Sequence, residues 1–246
     1  MKTKANLQQE HQPENIAHRL QQPPKTQNVS DAVLGGIDGC VTTFAVVAGA
    51  TGAGFSPIIA ITLGFANLFA DGFSMAVSNY EANKAQKEFT EHLRKTEAEH
   101  IELIPEGERE EIRQIFTNKG FSGETLEIIV DTLTQDQKLW IDTMLTEEYG
   151  VPLETPSAIR SALTTFVAFV LIGAIPLIPL MINTLSQIEK FVSSAVLAGI
   201  MFFLIGMMKS LVFAKPIFRC GFSTLLTGGA AATLAFLTGY VLQLWL

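Results

Sequence analysis

Long stretches of this chain carry no charge. Between Ala32 and Tyr80 the only Asp, Glu, Lys, Arg or His residues are Asp38 and Asp71. None occurs from Ser161 to Ile188, from Phe191 to Met208 or from Cys220 to Leu246. Apolar runs of about 20 residues are long enough to cross a bilayer core as helices. Only 17% of the residues are charged, against roughly a quarter in a soluble domain. These features exclude a soluble enzyme, a disulfide-stapled secreted domain and a disordered chain. The net charge of -7 argues against nucleic-acid binding, which needs a basic surface. Cys40 and Cys220 both lie in apolar runs. With no CxxC or Cys/His cluster, neither a disulfide framework nor a structural zinc site is expected.

The expected organisation has four parts. Residues 1–30 are rich in Gln, Pro and Asn and predict a mobile tail. That polar start argues against a cleavable signal peptide. Residues 31–83 carry the first two membrane helices, Asp31–Thr51 and Pro57–Tyr80, separated by the turn GAGFSP. No breaker follows Tyr80, so the second helix is expected to run on out of the membrane. Residues 84–154 hold 17 Asp/Glu and eight Lys/Arg. Apolar residues recur there at helical spacing, as in Ile112, Ile115 and Phe116, which predicts a small insert of about three helices. Residues 155–246 supply the last three spans. The third carries Pro176 and Pro179, which kink a membrane helix.

Basic residues gather on the cytoplasmic side of membrane proteins. Five spans with an inside N-terminus place 16 of the 17 Lys and Arg inside and leave Lys190 outside. The acidic insert is then cytoplasmic. The fold class expected is all-α: five transmembrane helices with a cytoplasmic three-helix acidic insert between the second and third.

A carboxylate within a membrane helix is costly and marks function by default. Asp38 sits two turns into the first span, flanked by Gly35, Gly36 and Gly39. In the second span Asn67, Asp71, Met75 and Asn79 recur every four residues, along one helical stripe. Carboxylates with a thioether suit Fe²⁺ or Mn²⁺ better than Ca²⁺ or Mg²⁺. Within the insert Glu99 and Glu102, Glu108 and Glu111, and Met144 and Glu148 share helix faces. Such glutamates can gather a metal in a bundle or can simply be solvated. All four histidines, at 11, 18, 92 and 100, lie outside the spans. No glycine-rich phosphate loop is present, so nucleotide-driven pumping is not expected.

The stretches DAVLGGIDGCVTTFAVVAGATGAG and LGFANLFADGFSMAVSNYEANKAQ, with GAIPLIP at Gly173–Pro179, resemble the vacuolar iron transporter family. The likeness covers about residues 30–246. It implies a homodimer of five-span subunits that moves cytosolic Fe²⁺, often Mn²⁺ too, in exchange for protons. Its path lies at the dimer interface, with an aspartate and a methionine that map onto Asp38 and Met75. A family glutamate falls at Asn67, and Asp71 one turn on can replace that charge. The metal-gathering insert residues map onto Glu97, Glu99, His100, Glu108, Glu111, Met144 and Glu148.

The reading is therefore a secondary transporter exporting Fe²⁺ and/or Mn²⁺ by proton antiport. It is not an enzyme and has no prosthetic group. Its partners are the lipid bilayer, the metal, protons and a second copy of the chain. A bacterial plasma membrane is the expected location, or a vacuolar membrane in a eukaryote. The alternative is a non-transporting metal buffer or sensor built on the insert. The glycines around Asp38, with Ala45 and Gly49, are expected to pack the first span against its dimer mate.

Overall fold

A computed structural model describes residues 4–20, 26–213 and 216–245. The described residues form helices joined by short turns and loops, without strands. In order, the helices are α1 (Lys4–Glu10), α2 (Pro13–Leu20), α3 (Thr26–Gly52), α4 (Pro57–Leu103), α5 (Pro105–Asn118), α6 (Gly123–Thr134), α7 (Gln137–Glu147), α8 (Ala158–Gly173), α9 (Gln187–Phe213) and α10 (Ile217–Trp245). A 3-10 segment, Ile175–Met181, follows α8. Among the described residues, five helical segments are long and apolar enough to span a membrane: Asn28–Gly52, Pro57–Leu103, Ala158–Met181, Gln187–Ser210 and Ile217–Trp245.

Two compact units divide the chain, residues 1–80 with 159–246, and residues 81–158. In the first, α3 is the central helix. Its Cys40, Phe44, Val47 and Ala48 are buried against Ala198, Phe202 and Ile205 of α9 and Ala232 of α10. Small residues let these helices approach closely. A Cβ at Gly39 would lie 2.4 Å from the Phe169 carbonyl oxygen, and one at Gly49 would lie 3.4 Å from that of Ala235. The outer faces are strongly apolar: Phe73, Leu171, Val196 and Leu226 are all exposed. An apolar exterior around a packed interior is the pattern that a bilayer solvates.

The glycines of α3 correct one expectation. Gly35 and Gly39 meet the backbone of α8, Gly36 meets Ile172, and Gly49 and Gly52 meet α10. These small residues serve packing within one chain, so they carry no argument for a dimer contact.

The third span is broken rather than smoothly kinked. Pro176 and Pro179 lack N–H groups, and the backbone tightens to 3-10 turns. Ser194 of α9 donates to the Pro176 carbonyl at 2.6 Å, pairing an acceptor that would otherwise be orphaned. At the N-terminus, where composition predicts a mobile tail, α1 and α2 are helical. The His11 ring meets the Leu7 carbonyl, and the Asn15 amide donates to that of Gln9. Helices of seven and eight residues are marginal alone in water, and α2 buries none of its described residues.

In the second unit the C-terminal part of α4 packs with α5, α6 and α7. Ile112, Leu126, Val130, Trp140 and Met144 form the core. A smaller cluster joins Leu93, Ile141, Leu145 and Val151. Arg109 pairs with Asp131 and Arg113 with Glu127, tying α5 to α6, while Arg94 pairs with Asp142 between α4 and α7. Asp136 caps α7 by accepting from the backbone N–H groups of Lys138 and Leu139.

Candidate functional site

In the first unit, α4 buries the row Ala60, Gly64, Leu68, Gly72 and Ala76, four residues apart. Asn67, Asp71, Met75 and Asn79 form the adjoining row, and all four are half-buried. The expected stripe therefore exists as one edge of the packed face. Asp38 on α3 is also half-buried, and its carboxylate lies within electrostatic reach of that of Asp71. Thr42, near the same face, spends its hydroxyl on the Asp38 backbone carbonyl at 2.9 Å. The Asn67 amide nitrogen is buried and has no hydrogen-bond partner among the described residues. Asn79 is engaged: its amide donates to Asp31 at 3.1 Å and to Thr165 at 2.7 Å.

In the second unit a compact cluster forms where α4 ends and α5 begins. Pro105 opens α5, so Glu108 one turn later faces the last turns of α4. One ligand atom each from Glu97, His100 and Glu108 lies within 4.8 Å of the others. His100 Nδ1 is 3.4 Å from Glu108 Oε1 and 3.9 Å from Glu97 Oε1. Glu97 is 1% exposed and Glu108 5%. The Tyr149 hydroxyl donates to Glu97 Oε1 at 2.9 Å. Glu97 Oε2 and Glu108 Oε2 are buried and have no hydrogen-bond partner among the described residues. Buried carboxylates are costly unless paired or bound to a cation. Burial, then Glu111 and Glu97, pushes Glu108 from 4.5 up to about 7, with His100 opposing and Glu148 adding to the rise. Burial, with Glu111 and Glu97, also raises Glu148, and burial with the Glu97 hydrogen bond raises Tyr149. Two carboxylates and an imidazole at this spacing suit a borderline divalent cation.

The expected insert residues separate on this geometry. Glu97, His100 and Glu108 converge. Glu111 and Glu148 are exposed but act on Glu108 through their charge. Glu99 is exposed on another face of α4 and does not join the cluster. Met144 is fully buried in the apolar core with Ile112 and Trp140. Tyr149 was not anticipated from sequence. Its signal is position, next to Glu148 and just beyond the end of α7.

Together the spans define an integral membrane protein with carboxylates inside its spanning helices. The pattern of the VIT family matches residues 29–240, and the chain belongs to that family. It is similar to vacuolar iron transporter 1 of Arabidopsis thaliana, 32% identical over 216 residues, covering 87% of this chain and 86% of the relative. The vacuolar iron transporter of Centaurea cyanus is 33% identical over 213 residues, covering 85% and 86%. That of Toxoplasma gondii is 31% identical over 225 residues, covering 88% and 74%. By name these relatives are transporters and not enzymes.

Proposed function

We propose that this protein is a secondary transporter that exports Fe²⁺ and/or Mn²⁺ from the cytosol in exchange for protons, acting as a homodimer with its insert in the cytoplasm. The observation that carries the reading is the half-buried row Asn67, Asp71, Met75 and Asn79 beside Asp38, inside spanning helices. A cation leaving water needs fixed ligands that also let it go, and a few carboxylates with a thioether meet that need. Asp38 takes up a proton when the metal departs, which removes an uncompensated charge from a costly place. The cluster of Glu97, His100 and Glu108 gathers metal from the cytosol ahead of transport. Taken alone, that cluster would equally serve a metal buffer, but a buffer needs no carboxylates within its spans. The family and the named relatives support metal as the cargo.

Reconstituted protein tests the reading. Proteoliposomes carrying an imposed pH gradient should accumulate Mn²⁺ or Fe²⁺, and collapsing the gradient should stop uptake. Tight metal binding with no flux would favour the buffer. Cysteines placed at Gln187 and Gly123 should label from opposite sides of the membrane, with Gly123 on the cytoplasmic side.

A further inference from the structure

Helices α3, α9 and α10 leave an apolar groove in the first unit, away from the Asp38 stripe. Its volume is about 410 Å³, within the usual range of small-molecule sites. Small residues line it: Ala48, Ala195, Gly199, Gly229 and Ala232. Gly229 is exposed, and a Cβ added there would meet nothing within 4 Å, so the groove opens sideways from the bundle. Three phenylalanines gather at one end. The Phe191 ring centroid is 6.3 Å from that of Phe44 and 6.1 Å from that of Phe236. Phe202, which is buried, lines the other end.

From Phe191 to Phe202 the helix rises about 16 Å, half of a hydrocarbon core about 30 Å thick. Phe191 stands one turn inside the spanning segment Gln187–Ser210, and Phe202 stands near its middle. The groove therefore has the depth of one leaflet. At its outer end the residue type changes abruptly. Lys190 precedes Phe191, and the two line a second, smaller cavity with Val47 and Thr51. The same end of the bundle holds the α3–α4 turn, where Gln187 reaches the Phe55 carbonyl and Gln243 lies beside Gly54. Among the described residues at this end, the charged side chains are Glu189 and Lys190. Glu189 accepts from the Ser186 backbone N–H at 2.8 Å and so caps α9. The Lys190 ammonium has no ion pair among the described residues. A lysine at the end of a span carries its charge outward on an apolar stem, to the level of the lipid headgroups.

We propose that this groove binds one phospholipid from the leaflet at the Lys190 end, with an acyl chain lying along Gly199 and Gly229 and the phosphate paired with Lys190. Within a bilayer the gain is packing rather than release of water, because neighbouring lipid is equally apolar. A groove lined by Gly and Ala lets one chain make close contacts with three helices at once. The phosphate supplies the anion that Lys190 lacks within the protein, through a charge-assisted hydrogen bond. A second copy of the chain is a poorer fit. A helix is about 10–12 Å across and would need about three times this volume over the same length. The site does not depend on the transport reading.

The test is native mass spectrometry of the purified full-length protein, delipidated in detergent and titrated with dioleoylphosphatidylglycerol or with dioleoylglycerol, which has the same chains and no phosphate. The proteins are wild type, Gly229→Leu and Lys190→Gln. Leu at position 229 fills the groove from a backbone position with open space and a better helix former. Wild type should retain one tightly held phosphatidylglycerol per chain and prefer it to dioleoylglycerol. Gly229→Leu should weaken that retention by about tenfold or more. Lys190→Gln should keep the chain site and lose about fivefold of the preference for the phosphate. Wild-type retention in Gly229→Leu would overturn the site. Equal retention of the two lipids by wild type would overturn the role of Lys190. The same spectra read the oligomeric state, and a change of state in Gly229→Leu would give the groove to a second copy and overturn the lipid. Should Gly229→Leu not fold, Thr233→Leu fills the same groove, and wild-type retention there would overturn the site.

Discussion

Replacing Glu108 by Gln removes a charge that folding holds in an unfavourable place. In the unfolded chain this carboxyl titrates near 4.5, and in the native protein burial and neighbouring carboxylates push it up to about 7. Between those values the native state binds the extra proton. Stability of the metal-free protein therefore falls as pH rises through this window, and the loss is complete above about 7. The gap corresponds to about 3 kcal/mol as an upper limit. Gln carries no charge at any pH. At pH 8, in chelator, Glu108→Gln should therefore exceed wild type by up to that amount, and the advantage should close towards pH 5. A midpoint difference of about 6–12 °C is the corresponding ceiling. Thermal unfolding between pH 5 and 8 reads it directly. In wild type, metal must displace this proton, so affinity should be about tenfold weaker at pH 6 than at pH 8. Parallel stability profiles for the two proteins would refute the assignment of Glu108 as a destabilised, cation-seeking carboxylate.

Three other substitutions probe the frame and the path. Gly39→Ala would place a Cβ 2.4 Å from the Phe169 carbonyl oxygen, and the midpoint should drop by an amount equivalent to about 1–3 kcal/mol or more. Ser194→Ala strips the Pro176 carbonyl of its donor and should cost about 1–3 kcal/mol in thermal unfolding. Met75→Leu nearly conserves volume, so folding should hold within about 1.5 kcal/mol while Fe²⁺ flux falls.

Much of the fold was legible because charge is so expensive in a bilayer. The five spans follow from the uncharged runs, and the continuity of α4 past Tyr80 follows from the absence of any breaker before Leu103. The prolines marked the weak point of the third span, although its tightening into 3-10 turns depends on α9 supplying Ser194. Pairs of glutamates were legible as pairs, and only helix phase ranks them. Leu93, Glu97 and Ile101 share one face of α4, and that apolar phase points Glu97 inward and Glu99 outward. Read with helix phase, the same residues would have favoured Glu97 over Glu99. The glycines of α3 signalled close packing correctly, yet a single chain cannot say which helix approaches them. Asp31 marked the start of the first span, but its contact with Asn79 spans 48 residues and no local pattern announces it.

The central claim is that an intramembrane carboxylate carries the metal, and Asp38→Asn tests it most directly. The measurement is Mn²⁺ or Fe²⁺ uptake into proteoliposomes under an imposed pH gradient, with folding of the variant checked by thermal unfolding. The account predicts a folded protein with flux reduced to that of empty liposomes. Wild-type flux from Asp38→Asn would show that the carboxylate serves only structure, and would contradict the mechanism.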